Sequence, residues 1–162
     1  AEPGLGRIAD ETGLDVVLIR PTLIIGAGVK GNLARLYGAI RRGLPLPFAN
    51  LVDNRRDLVS RETLSDLAAV CVSHPSAPGA VFMVSDGAPL STRALVERMA
   101  AETGARPQLI PVPPAVLRAL LALVGRSRMA GQLTGDLEID IRPTCDRLGW
   151  RPPTSPPIGA VH

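Results

Sequence analysis

Apolar residues along the chain fall into runs of two kinds. Asp15–Arg20 (DVVLIR) and Ala80–Val84 (AVFMV) are short and continuous, the pattern of strands buried on both faces. Pro21 closes the first of these and Asp86-Gly87 the second. Elsewhere apolar positions recur at helical spacing. Leu5, Ile8 and Ala9 predict a helix that Gly13 ends. Asn32 is placed to cap a helix running to about Arg42, with Gly43 after it. Ser60 precedes a helix with Leu64, Leu67, Ala68 and Cys71 on one face, and Ser91 precedes another that runs through Ala101 to Gly104. Pro113-Pro114 open a strongly apolar helix to Val124, and a last helix lies near Pro143–Leu148. Between them, Leu44–Phe48 reads as an edge strand or extended loop because of its prolines, Asn50–Asn54 as a turn, Asp57–Val59 as a brief strand and Gln108–Val112 as extended. Helices alternating with buried strands predict an α/β fold. Two such strands are too few for an independent doubly wound sheet, so the chain reads as part of a larger one.

Composition narrows the class. The chain has 162 residues, 46% hydrophobic and 20% charged, which suits one folded domain and excludes disorder. No apolar run reaches the roughly 18–20 residues of a membrane span, and the start carries no signal-peptide pattern. Two cysteines and two histidines are too few for a disulfide scaffold or a cysteine/histidine zinc site, so a reduced, cytoplasmic setting without metal is expected. The formal net charge is +3, and all of the 18 basic residues except Lys30 are arginine. They are scattered, and the aromatics are only Tyr37, Phe48, Phe82 and Trp150, so neither a nucleic acid nor a membrane is expected as partner.

Candidate chemistry is sparse. Gly26 to Gly31 (GAGVKG) fits G-x-G-x-x-G between an apolar run and a helix. Pro21 interrupts the preceding strand, and no acid ends a second strand about 20 residues on. The glycines are therefore read as shaping a loop that lets backbone approach a ligand or neighbour, a free-standing dinucleotide site being the alternative. Tyr37 and Arg41 have Tyr-x-x-x-Lys spacing but are read as surface positions on a helix. His74 reads as a solvated loop residue and Cys71 as core. Asp136, Glu138 and Asp140 alternate, which suits a solvent face or a helix cap. Two residues stand out as anion ligands. Arg56 sits where a guanidinium can grip a diphosphate, and Asn32 sits at a helix N-terminus whose N–H groups favour phosphate.

The order of the segments adds more than any one of them. Residues 18–48 (LIRPTLIIGAGVKGNLARLYGAIRRGLPLPF), 54–75 (NRRDLVSRETLSDLAAVCVSHP), 79–104 (GAVFMVSDGAPLSTRALVERMAAETG) and 140–153 (DIRPTCDRLGWRPP) together resemble the C-terminal half of the extended short-chain dehydrogenase/reductases. Within these they are similar to the NAD-dependent epimerase/dehydratase family acting on nucleotide sugars. The resemblance implies that Arg20, Pro21 and Thr22 end a strand of the nucleotide-binding sheet and touch the nicotinamide side of NAD. It implies that Asn32 and Leu33 bind the sugar diphosphate, that Leu46 to Phe48 read uracil through their backbone, and that Arg56 is the diphosphate arginine. Arg128 is implied as a second phosphate arginine, and Asp66 as a structural position. Ile25 and Ala27 replace a tyrosine and a proline common in the family's loop.

The resemblance also implies an organisation. Residues 1–31 and 57–87 would be remnants of the nucleotide-binding Rossmann-type sheet, 32–56 and 88–153 the small α/β substrate-binding domain, and 154–162 a tail. The strand over 15–20 should pair in parallel with that over 80–84, leaving an edge for a covering helix or for self-association. The family's Tyr-x-x-x-Lys and its NAD fingerprint have no counterpart in this sequence. The expectation is therefore a UDP-sugar-binding half that neither turns over nor binds NAD well alone. A non-catalytic binding module on the same scaffold is the alternative.

Overall fold

The structure, a computed structural model, describes residues 4, 8–9, 11–25 and 31–153. The glycine loop over 26–30 and the tail over 154–162 therefore lie outside the described residues. Gly13 takes φ 71° and its N–H donates to Ala9 O, ending the first helical segment as its sequence predicts.

Strand β1 (Leu18–Pro21) pairs in parallel with β5 (Val81–Val84), in the register Leu18 to Val81 through Pro21 to Val84. Neither strand is buried on both faces: Arg20 and Pro21 are exposed in β1, and Val81 is exposed in β5. Pro21 is the last residue of β1 rather than a stop to extended structure. After Thr22 the chain resumes as β2 (Leu23–Ile25), which pairs in parallel with β4 (Leu58–Ser60). The offset lets one extended run serve two pairings. A third, two-residue parallel pair joins β3 (Pro45–Leu46) to β6 (Gln108–Leu109).

Six helices follow in the described part after β2: α1 (Asn32–Arg41), α2 (Arg61–Ser73), α3 (Thr92–Glu102), α4 (Pro114–Leu123), α5 (Ser127–Thr134) and α6 (Arg142–Leu148). Ser60 and Ser91 cap α2 and α3 as predicted, their side chains accepting from the Thr63 and Ala94 N–H groups. Asn32 does not cap α1. Gly31 holds the N-cap position at φ 75°, a conformation open to glycine, and Asn32 is the exposed first residue of the helix. Helix α5 has no counterpart in the sequence reading; its segment carries Gly131 in its interior and has no side-chain cap.

Two hydrophobic clusters result. The first gathers Ile25, Leu33, Tyr37, Ile40, Leu46, Phe48, Leu51 and Leu58 with Leu95, Val96, Met99 and Leu117. The second gathers Val59, Leu67, Cys71, Phe82 and Val84 with Leu148 and Trp150. Alternation along β4 is what joins them, since Leu58 enters one cluster and its neighbour Val59 the other. Tyr37, expected at the surface, is buried in the first cluster, and its hydroxyl donates to Glu102 Oε2 at 2.9 Å. Burial, then the bond to that carboxylate, raises its phenol above the ordinary value.

The second cluster is locked by Asp66, which accepts from the Trp150 indole N–H at 2.6 Å, and by the Thr144 hydroxyl, which donates to Met83 O at 2.8 Å. Asp66 thus does structural work. Asp66→Ala should cost about 1 kcal/mol in urea unfolding and close to nothing in a Trp150→Phe background. Equal losses in both backgrounds would show that the bond does not hold α6 to α2.

Candidate functional site

The segment before β4 carries the candidate site. Arg56 lies between two backbone partners. Its N–H donates to Leu90 O and its carbonyl accepts from Leu90, both at 2.9 Å; on the other side Leu137 donates to Arg55 O at 2.8 Å and Asp57 donates to Leu137 O at 2.7 Å. Asn54 extends the clamp. Its Nδ2 donates to Thr92 Oγ1 and its Oδ1 accepts from the Thr92 N–H, while Thr92 Oγ1 donates to Leu133 O at 2.8 Å. The N-terminus of α3 and the end of α5 are therefore both tied to residue 54. Asn54, read from sequence as part of a turn, is buried; its place directly before two arginines was the available signal.

The two arginines differ. Arg55 is exposed and fork-paired with Glu138, Nε to Oε2 at 3.0 Å and Nη2 to Oε1 at 3.4 Å. Arg56 is half-buried, and among the described residues its side chain has one hydrogen bond, Nη1 to Gly135 O at 3.5 Å, and no carboxylate within ion-pair distance. Burial pulls its guanidinium below the ordinary arginine value, with Asp136 partly opposing. Such a group gains from any anion that reaches its remaining donors.

Asp57, next in sequence, turns inward and is buried. Its Oδ2 accepts from the Ile139 N–H at 2.7 Å and so holds the 137–139 segment alongside Arg56. Burial raises its carboxyl above the ordinary value, with the Ile139 and Ser85 hydrogen bonds opposing. The acidic alternation at 136–140 is solvent-facing as its spacing predicts. Asp136 accepts from the Arg55 N–H, Glu138 pairs with Arg55, and Asp140 pairs with Arg142 and accepts its N–H, which pulls the Asp140 carboxyl down to about 2.

The other predicted positions are distributed. Arg20, Pro21 and Thr22 lie at the carboxyl end of β1 beside that of β5, and both the N–H and the hydroxyl of Thr22 donate to Val84 O. Asn32 is exposed at the start of α1, whereas Leu33, Leu46 and Phe48 are buried in the first cluster. Only backbone remains to Leu46 and Phe48 as a ligand contact, and part of it is engaged: the Phe48 and Ile110 N–H groups both donate to Leu46 O, and Ala49 N–H donates to Ile110 O. Arg128 is exposed on α5, the helix that ends at the Gly135 carbonyl bonded to Arg56. His74 is half-buried at the end of α2, where its Nδ1 accepts from the Ser76 N–H.

A pocket of about 400 Å³ opens elsewhere, lined by Asp57, Ser85, Gly87, Pro89 and residues 138–142. None of the predicted ligand residues lines it. Its walls carry Asp57, Glu138 and Asp140, and its one arginine, Arg142, is already tied to Asp140, so it disfavours a diphosphate. Among the described residues no group of three or more His, Cys, Asp or Glu is placed to hold a metal ion.

No family model matches the chain. Over 153 residues, 94% of its length, it is 40% identical to the UDP-glucose 4-epimerase of Vibrio cholerae, of which it covers 47%. The chain is a relative of the UDP-glucose 4-epimerases. It spans about half the length of that relative. Solved structures place the fold in the same group. The UDP-glucose 4-epimerase of Thermotoga maritima, determined with UDP-glucose, aligns at TM-score 0.63 and 19% identity over 93% of this chain and 45% of that one. The enzyme WbmG of Bordetella bronchiseptica, in complex with NAD and UDP, aligns at TM-score 0.62 and 15% identity over 94% and 43%. The relative of the epimerases thus has the Rossmann-type α/β fold of the extended short-chain dehydrogenase/reductases, over about half of such a chain.

The clamp can be tested through Asp57. Asp57→Ala should cost about 1–3 kcal/mol by stranding the Ile139 N–H, and Asp57→Asn, which keeps an acceptor, much less. A carboxyl whose pKa is raised by folding contributes stability below its unfolded pKa that is lost as pH rises through the folded one. The stability of the native chain relative to Asp57→Asn should therefore fall across that window in urea titrations. A difference that is flat or rises with pH would contradict the burial reading.

Proposed function

We propose that the chain is the nucleotide-sugar-binding half of an NAD-dependent epimerase, reductase or dehydratase, and that the UDP diphosphate docks on Arg56. The observation that carries this is the contrast between neighbours: Arg55 is exposed and paired, whereas Arg56 is half-buried with no carboxylate beside it. The similarity to a UDP-glucose 4-epimerase supports the UDP-sugar class, as do solved relatives of the fold that hold UDP-glucose or UDP. In this reading Asn32 and Arg128 add phosphate contacts, Leu33 shapes the α1 end of the seat from the core, and backbone around Leu46 and Phe48 meets the base. In this reading the first cluster is mostly substrate-binding domain (32–56 and 88–153), with Ile25 and Leu58 entering it from the nucleotide-binding remnant (1–31 and 57–87), and the second is mostly that remnant, with α6 and Trp150 returning to pack on it. The edge of β1 away from β5 serves for self-association; among the described residues only β5 pairs with β1.

NAD would be the cofactor of a longer parent, where it supplies hydride transfer. Arg20, Pro21 and Thr22 would face it, but both donors of Thr22 are taken by Val84 O, and these residues alone do not form a dinucleotide seat. The only tyrosine and the only lysine, Tyr37 and Lys30, do not form Tyr-x-x-x-Lys, and Tyr37 is bonded to Glu102 in the core. The chain alone is therefore proposed to bind without turnover. Its setting is proposed to be the cytoplasm, in keeping with two free cysteines, Cys71 buried and Cys145 half-buried.

Calorimetric titration with UDP tests this reading. Arg56→Ala should weaken binding roughly tenfold or more, and Arg55→Ala should change it by less than about twofold. Uridine, lacking the diphosphate, should not distinguish Arg56→Ala from the native chain. UDP binding that Arg56→Ala leaves intact, or turnover of UDP-glucose with NAD by this chain, would refute it.

A further inference from the structure

Helix α4 buries Leu117 and half-buries Leu121 against the first cluster, and these two lie one turn apart on one side. A second apolar stripe, Val116, Leu120, Leu123 and Val124, recurs at i, i+4, i+7 and i+8 and faces solvent, with Leu120 55% and Leu123 83% exposed. Four aliphatic side chains left together along one short helix and its C-cap form a patch that monomeric surfaces rarely show without a use. Arg118 lies on the opposite side of the helix from Val116. Arg126 and Arg128, both exposed, follow directly after the apolar tip.

Charge decides among occupants. Residues 103–135 contain Arg106, Arg118, Arg126 and Arg128 and no acidic residue. Of these, Arg126 and Arg128 directly follow the apolar tip, so the outer face of α4 ends in positive charge with no acid within the stretch. A two-fold contact with the helices running parallel would set Arg126 and Arg128 of each near those of the other, with no carboxylate in the stretch to offset them. An anionic lipid surface accepts both features at once, aliphatic side chains in its interface and arginines at its headgroups. Such a peripheral contact needs no crossing helix, and none of the described helices is long and apolar enough to cross a membrane.

We propose that the outer face of α4, through Val116, Leu120, Leu123 and Val124 with Arg126 and Arg128 beside them, docks this chain on an anionic membrane surface. Co-sedimentation of the 162-residue chain with vesicles tests it. Binding is expected to phosphatidylcholine vesicles containing about one-third phosphatidylglycerol, weakening with salt, and not to phosphatidylcholine alone. Leu120→Asp with Leu123→Asp, and separately Arg126→Glu, should each cut partitioning roughly tenfold. Val72→Asp, at an apolar position 89% exposed on α2, should leave it unchanged. Far-UV circular dichroism of each variant should match the native chain, as expected for exposed sites. Absence of vesicle binding, equal binding to neutral vesicles, or equal loss with Val72→Asp would overturn the proposal. So would a dimer, seen by light scattering without vesicles, that Leu123→Asp dissociates.

Discussion

Residues 55–57 are hydrogen-bonded along both edges of their backbone, to Leu90 on one side and Leu137 on the other. That double pairing fixes where Arg56 can go. A guanidinium drawn half out of water without a carboxylate is unfavourable, and a loop free to move would swing it back to solvent. Here Asn54 and Asp57 lock the residues on either side, the first through Thr92 and the second through Ile139. The cost of keeping Arg56 in place is thereby spread over elements that already hold the fold together.

The same segment links the two hydrophobic clusters. Just beyond it, β4 sends Leu58 into one and Val59 into the other, and β2 pairs with β4 only because the extended chain shifts partner after Pro21. The site and the seam between the cores are consequently the same stretch of chain. An anion drawn to Arg56 would arrive where strand ends, the close of α5 and the start of α3 converge, so binding there would stiffen both cores together.

Much of the scaffold could be read before any coordinates, and the misreadings have physical reasons. The caps at Ser60 and Ser91 follow from local chemistry, because a hydroxyl at a helix start leaves few alternatives, whereas the parallel pairing of the two apolar runs follows from the family resemblance. Asn32 was misplaced by one position because Gly31 takes the cap at positive φ. The spacing of Tyr37 to Arg41 suggests a surface pair, although Leu33, Tyr37 and Ile40 trace a buried stripe at i, i+4 and i+7. Helix α5 escaped because its glycine and weak end signals lower local preference, and packing on α4 supplies what the sequence lacks. At the site, the Arg-Asp pair was visible in sequence. That Arg55 would be paired and Arg56 left without a carboxylate was not, since it depends on Glu138 arriving from eighty-odd residues away.

If the UDP diphosphate docks on Arg56 as proposed, the acidic pocket at 85–89 and 138–142 is not its seat. Resolved Nε–Hε signals of Arg55 and Arg56 in nitrogen-edited NMR, followed while UDP is added, test this most directly. The account predicts a saturating shift at Arg56 with Arg55 nearly still. Shifts confined to residues 85–89 and 138–142, with Arg56 unmoved at saturation, would contradict it.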